Sequence, residues 1–257
     1  MASELKIALV QSQLHWENPV ANRARFSEKI ATIPKDTELI VLPEMFTTGF
    51  TMNPKSIEVT EAAKTIAWMQ QIAKENDVAI TGSIVYTEKG KNFNRLFFCF
   101  PDGELAVYDK KHTFTLAGED KIYKAGTTKL LVEYRGFKIR PLICYDLRFP
   151  VWARNAEDYD VLIYVANWPK PRIDAWDTLL KARAIENMSY CIGVNRIGLD
   201  ELGHEYSGHS AVYDVLGHCT AYSEKEEIIY ATLDKQHIKS IREKLKFLED
   251  RDDFNLV

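Results

Sequence analysis

No stretch of this chain reaches the roughly 20 consecutive apolar residues that a bilayer-spanning helix needs. The opening MASELKIALV also lacks the charged-then-apolar layout of a secretion signal. Both absences predict a soluble, cytoplasmic protein with no membrane partner. Clustered positive charge is missing too: 33 basic against 37 acidic residues leave a formal net charge of -4, and no basic run is long enough to track a nucleic-acid backbone. The four cysteines, at 99, 144, 191 and 219, show no C-x-x-C pairing, and three lie inside apolar runs that read as strands. Disulfides and zinc ribbons are therefore not expected.

What is present is apolar mass: 46% of 257 residues, enough for a large core in one or two domains. Residues 5–10 (LKIALV) read as a strand, and Asn18-Pro19 supplies an N-cap and first-turn proline for a helix carrying Phe26, Ile30 and Ile33. Residues 37–42 (TELIVL) form an almost wholly apolar strand that delivers Pro43-Glu44. A helix over 60–76 carries a stripe of Ala63, Ile66 or Ala67, Gln70 and Ala73, and residues 78–86 return to strand. Residues 92–100 and 104–108 flank the turn Pro101-Asp102-Gly103 as a hairpin. The polar segment 109–126 (DKKHTFTLAGEDKIYKAG) has little periodicity, and a loop that long is functional or disordered. A second hairpin, 129–134 with 137–143, turns across Arg135-Gly136. Pro141 within it predicts a bulge or an unpaired position. A strand over 160–166 ends at Asn167-Trp168-Pro169, and a helix over 173–188 buries Trp176, Leu180 and Ala184. Strands at 190–195, 208–214, 219–222 and 228–233 and a last helix near 235–246 complete the pattern. Two successive halves with no linker predict one domain over 1–257, two packed sheets with helices outside, and a tail from about 247.

The chain is organised around residues 137–150, FKIRPLICYDLRFP. The strand carries the chain to Cys144, and residues 149–156 read as the next helix. A thiol at such a corner meets unpaired N–H groups and a positive dipole end, which favour thiolate and can hold an oxyanion. The alternative is a buried cysteine acting as a small hydrophobe. Glu44 and a lysine in the 109–126 loop also follow buried strands. Carboxylate, ammonium and thiol together suit acyl transfer: the carboxylate takes the thiol proton, the thiolate attacks a carbonyl, and the ammonium stabilises the oxyanion.

LPEMF at 42–46, YDKKH at 108–112 and ICYDLRFP at 143–150 resemble the three ordered signatures of the nitrilase superfamily of carbon-nitrogen hydrolases, and the resemblance covers essentially the whole chain. It implies an α/β fold, a four-layer α-β-β-α sandwich with mixed sheets, pairing into a homodimer. It implies Glu44 as general base, Lys110 as the oxyanion-stabilising lysine (Lys111 being the reading one residue off), Cys144 as nucleophile and Glu119 as the second glutamate, with no metal and no cofactor. Tyr145 would give its backbone N–H to the oxyanion, and His112 is a structural hydrogen-bonding group. CYDLRFP, NWP at 167–169 and WDTLLKARAIEN at 176–187 most resemble the ω-amidase branch, which cleaves the terminal amide of 2-oxo dicarboxylic monoamides; an amidase for deaminated glutathione is the nearest other reading. A small-molecule amide with a distal carboxylate calls for a cation near the thiol, for which Arg148 and Arg172 are candidates, and Trp168 and Phe46 are candidate pocket walls. Val151 departs from the family pattern, where glutamate is common, and removes an expected acid from beside Arg148.

Overall fold

The computed structural model describes residues 3–255. In chain order the elements are β1 (Glu4–Val10), α1 (Pro19–Ile30), β2 (Leu39–Val41), α2 (Thr60–Asn76), β3 (Ala79–Glu88), β4 (Lys91–Cys99), β5 (Leu105–Asp109), α3 (Glu119–Ile122), β6 (Val132–Tyr134), β7 (Phe137–Ile143), α4 (Pro150–Ala153), β8 (Val161–Ala166), α5 (Ile173–Asn187), β9 (Tyr190–Asn195), β10 (Ile197–Leu199), β11 (Glu205–Ser207), β12 (Ser210–Tyr213), β13 (Cys219–Ser223), β14 (Ile228–Asp234) and α6 (Lys235–Leu245). Two six-stranded sheets result, ordered β14-β1-β2-β3-β4-β5 and β13-β12-β9-β8-β7-β6. Each has a parallel trio at its centre, β1 to β3 in one and β7 to β9 in the other, with antiparallel strands outside.

The alternation of β1 shows how the layers are built. Leu5, Ile7 and Leu9 enter the core between the sheets, whereas Ala8 and Val10 meet Phe26 of α1 and Met69 of α2 on the outer face. Strands buried on both faces need no polar alternation, which accounts for the apolar runs of β2 and β8. This is the expected four-layer α-β-β-α sandwich. The last strand, β14, pairs antiparallel with β1 and completes the sheet that the first strand begins.

Local signals hold in most places. The Asn18 side chain accepts the Ala21 N–H at 3.1 Å, and Trp176, Leu180 and Ala184 are the buried face of α5. Pro141 keeps its register with Ile163 of β8, but on its other side β6 has already ended at the Val132↔Ile139 pair. Its missing N–H therefore falls at an unpaired position rather than a bulge. The face of α2 is rotated from expectation: Glu61, Thr65, Met69 and Ala73 are buried, because Arg23 pairs with Glu61 at 2.7 Å and donates to Thr65, letting polar residues enter. The helix expected over 149–156 is only the four residues of α4, preceded by a 3-10 turn over Cys144–Arg148. The hairpin β10–β11 falls where no strand was expected. In the tail, Arg251 bonds Asn155 O and Asp158, while Phe247 and Phe254 are exposed; Leu256 lies outside the described residues. Among those residues no helix is long and apolar enough to cross a membrane.

Candidate active site

Parallel strands of both sheets end at one place, the usual location of a site in an α/β fold. After β2, Met45 adopts φ 42°, so Glu44 points between the sheets and Phe46 turns back toward the helices. Glu44 is fully buried. Its Oε1 accepts from Lys110 Nζ and Asn94 Nδ2, both at 2.8 Å, and its Oε2 accepts the Asn167 N–H at 2.8 Å. The Asn167 side chain donates to Glu44 O at 2.6 Å, so the strand-end residues of β2 and β8 clasp one another.

Lys110 follows β5, and its N–H donates to Asn94 O at 3.0 Å, continuing the β4–β5 ladder by one step. Its ammonium is almost wholly buried and also donates to Glu119, at 3.1 Å to Oε1 and 2.9 Å to Oε2. Glu119 reaches it because the 109–126 segment folds into a 3-10 turn and α3, and the Phe114 N–H donates to its Oε2 at 2.5 Å. Burial works to lower the lysine's pKa, but the carboxylates of Glu119 and Glu44 outweigh it and hold the group above its ordinary value. Burial, with Glu44 nearby, raises the Glu119 carboxyl in spite of Lys110.

Cys144 sits at the end of β7 with φ 43°, a left-handed backbone that a non-glycine residue adopts only at some cost. Its thiol is pushed well above the ordinary range, first by burial and then by the Glu44 carboxylate, against the pull of Lys110. This runs against the expectation of a helix-stabilised thiolate: the turn that follows is too short to carry a large dipole, and the burial and the Glu44 carboxylate beside it favour the neutral thiol. Asp146 anchors the corner, accepting from Ile143 N (3.1 Å), Tyr108 Oη (2.7 Å) and the His112 N–H (2.9 Å), with His112 Nδ1 2.8 Å from its Oδ1. His112 is thus the structural group expected, stacked on Phe149 at 3.7 Å.

Cys144 and Lys110 open onto a cavity of about 340 Å³, whose walls include Phe50, Phe114, Tyr145, Trp168 and Tyr206. Arg148 and Arg172 both line it, the first 4.9 Å from the Trp168 ring and the second 5.3 Å from that of Phe114. Neither guanidinium forms an ion pair among the described residues. Asp200, the acidic residue of the lining, is already saturated by Leu202 N, His204 N, His204 Nδ1 and Tyr206 Oη. Phe46 does not belong here. Its ring lies over Gly82 and packs on Phe26 and Trp68, at 5.4 and 5.9 Å between ring centroids. Lys111 turns its ammonium to the Trp152 face, 5.2 Å from the ring centre, outside the carboxylate cluster. His204 pairs with Asp200 and His209 with Asp177, and no group of three His, Cys, Asp or Glu side chains among the described residues could hold a metal ion.

Three residues of the cluster escaped the sequence reading. Asn94 alternates with Leu96 and Phe98, which lie in the inter-sheet core, and a polar side chain in that row was its signal. Asn167 follows the apolar β8 directly, as Glu44 follows β2. Asp146 stood within the quoted ICYDLRFP stretch, but nothing in the pattern gave it a partner.

The family model for carbon-nitrogen hydrolases matches residues 6–243, and the chain belongs to that family. It is 42% identical to the omega-amidase YafV of Yersinia enterocolitica over 257 residues, 99% of this chain and 100% of that one. It is 32% identical to a 2-oxoglutaramate amidase of Bacillus subtilis, covering 95% and 96% of the two chains. A solved CN-hydrolase superfamily protein from Xanthomonas campestris, with an arsenic adduct in its active site, superposes with a TM-score of 0.96 at 38% identity, each chain covered completely.

The cluster separates the two adjacent lysines. Lys110→Met should lower kcat far more than it raises KM, because an oxyanion exists mainly in the transition state. Lys111→Met should leave kcat within about threefold. Glu44→Gln, which keeps shape and removes the proton acceptor, should cost on the order of 10² or more in turnover. Steady-state amide hydrolysis by the three variants, each checked for fold by circular dichroism, decides it; a harmless Lys110→Met with a damaging Lys111→Met would reverse the assignment.

Proposed function

We propose that this enzyme hydrolyses the terminal amide of short 2-oxo dicarboxylic acid monoamides, such as 2-oxoglutaramate and 2-oxosuccinamate, through a thioester on Cys144. The observation that carries the reading is one cavity lined by Cys144 and Lys110 together with Arg148 and Arg172, neither of which has an acidic partner among the described residues. The relatives named omega-amidase and 2-oxoglutaramate amidase support the same substrate class.

In this mechanism Glu44 takes the Cys144 proton as sulfur attacks the amide carbon. The C–O electron pair moves to oxygen, where the Lys110 ammonium and the Tyr145 N–H stabilise it. Collapse breaks the C–N bond, and the proton held by Glu44 leaves with ammonia. Glu44 then takes a proton from water, which attacks the thioester; sulfur leaves, is reprotonated, and the 2-oxo acid departs. Glu119 keeps Lys110 charged and aimed, and Trp168 walls the cavity beside Arg148. The volume, near the lower end of the roughly 300–1,000 Å³ of ligand pockets, favours a short acyl group.

A distal carboxylate paired with Arg148 or Arg172 gains roughly 1.5–3 kcal/mol over a neutral group, a factor of about ten to a hundred and fifty. We also place the enzyme in the cytoplasm as a homodimer, a reading supported by its free cysteines and by the exposed apolar side chains Val151, Ile185, Leu216 and Phe247 on α4, α5 and the segments near them.

On a panel of 2-oxoglutaramate, 2-oxosuccinamate, deaminated glutathione, neutral amides and nitriles, kcat/KM should be highest for the first two. Arg148→Met or Arg172→Met should narrow the gap to a neutral amide of equal length by tenfold or more. A neutral amide or nitrile as the best substrate refutes the reading, and a gap unchanged by either variant places the carboxylate elsewhere. Sedimentation at micromolar concentration should give twice the chain mass, and monomer mass rules out the dimer.

A further inference from the structure

We propose that Asp146 is a positioning residue for this reaction, holding the nucleophile and the oxyanion lysine in one fixed relation through a single buried carboxylate. The inference rests on the roles assigned to Cys144 and Lys110 above, and not on the identity of the amide.

Asp146 is completely buried, and three of its four partners are fixed donors. Oδ2 accepts the Ile143 N–H at 3.1 Å and the Tyr108 hydroxyl at 2.7 Å; Oδ1 accepts the His112 N–H at 2.9 Å and lies 2.8 Å from His112 Nδ1. The Tyr108 hydroxyl has no freedom to reverse its role, because it already accepts from Lys111 N at 3.2 Å and Trp152 Nε1 at 3.0 Å. Three fixed donors, two of them backbone N–H groups, make Asp146 the acceptor of this corner, with the His112 ring held against its Oδ1.

The attachment points give the network its consequence. Ile143 immediately precedes Cys144, and Lys111 and His112 immediately follow Lys110. One carboxylate, directly or through Tyr108, therefore fixes the backbone beside the nucleophile and beside the lysine, on two segments that no strand pairing joins. It also spans the residue whose φ of 43° needs external support. Arg172 and the Trp168 wall stand on the segment after β8 and are not attached to it, whereas Tyr145 and Arg148 share the 3-10 turn with Asp146. Disturbing Asp146 should thus move the reacting groups relative to each other and leave the Arg172 and Trp168 side of the binding surface in place.

Asp146→Asn is the discriminating change. The amide presents one oxygen and one NH2, so one side of the side chain now faces donors with a donor. Tyr108 cannot turn its hydroxyl to accept without losing a bond, and the backbone N–H of Ile143 or of His112 is left unpaired whichever way the amide lies. A displacement of the order of an ångström costs about 10²-fold in rate. Steady-state kinetics on 2-oxoglutaramate, with kcat expressed per titratable Cys144 thiol, should show kcat down by about ten- to a hundredfold with KM within about threefold. Tyr108→Phe, which removes one donor and keeps the carboxylate, should show a smaller loss of about three- to tenfold, again in kcat alone; it decides the matter if Asp146→Asn does not fold. A folded variant with unchanged kcat per site, or a KM rising in proportion to the fall in kcat, overturns the proposal. The unaltered enzyme and Cys144→Ala run alongside: failure of the first to turn over, or activity in the second, refutes the underlying assignment instead.

Discussion

A lysine ammonium sealed between two buried carboxylates is the interaction on which this active site depends. Lys110, Glu44 and Glu119 are each 1% exposed or less, and none could stay ionised there alone, since an unpaired buried charge costs several kcal/mol. Their mutual pairing brings together three segments: the turn after β2, the residue after β5, and the first turn of α3. Asn94, reaching from β4 to both carboxylates at 2.8 and 3.2 Å, uses oxygen lone pairs that the lysine leaves free. The cluster is thus a structural joint and an electrostatic device at once.

That joint determines what the thiol can do. Burial, and two carboxylates against one ammonium, make the surroundings of Cys144 disfavour a third anion and favour the protonated sulfur. In the proposed mechanism nucleophilicity is generated at the moment of attack, when the proton passes to Glu44, already oriented by three hydrogen bonds. In that mechanism the buried Lys110 ammonium is the cation that meets the charge forming on the substrate oxygen. Left-handed backbone at Met45 and Cys144, φ 42° and 43°, turns the side chains of two adjoining strand ends toward one point, and the surrounding hydrogen bonds hold it.

Much of this could be read in the sequence because the signals were local. Alternating and fully apolar strands, the Asn18-Pro19 cap, the Trp176, Leu180 and Ala184 face, and the three short motifs carrying Glu44, Lys110 and Cys144 are each confined to a few neighbouring residues of the chain. What could not be read depended on long-range partners. Phe46 follows Glu44 by two residues, yet the turn at Met45 sends it to the opposite face of the sheet. The α2 stripe was misplaced because Arg23, on another helix, stabilises Glu61 in a buried position. Asp146 has a role only once β5, the lysine loop and β7 have been assembled, and the helical turns that carry Glu119 are too short to show periodicity.

The central claim, that the acyl group of an amide passes onto Cys144, is tested most directly by trapping it. The enzyme is mixed with excess 2-oxoglutaramate, quenched in acid within milliseconds, digested and mapped by mass spectrometry. The account predicts the acyl mass of 2-oxoglutarate on the peptide containing Cys144 and on no other. Acylation of Cys99, Cys191 or Cys219 in its place, or full turnover by a Cys144→Ala enzyme, would contradict it.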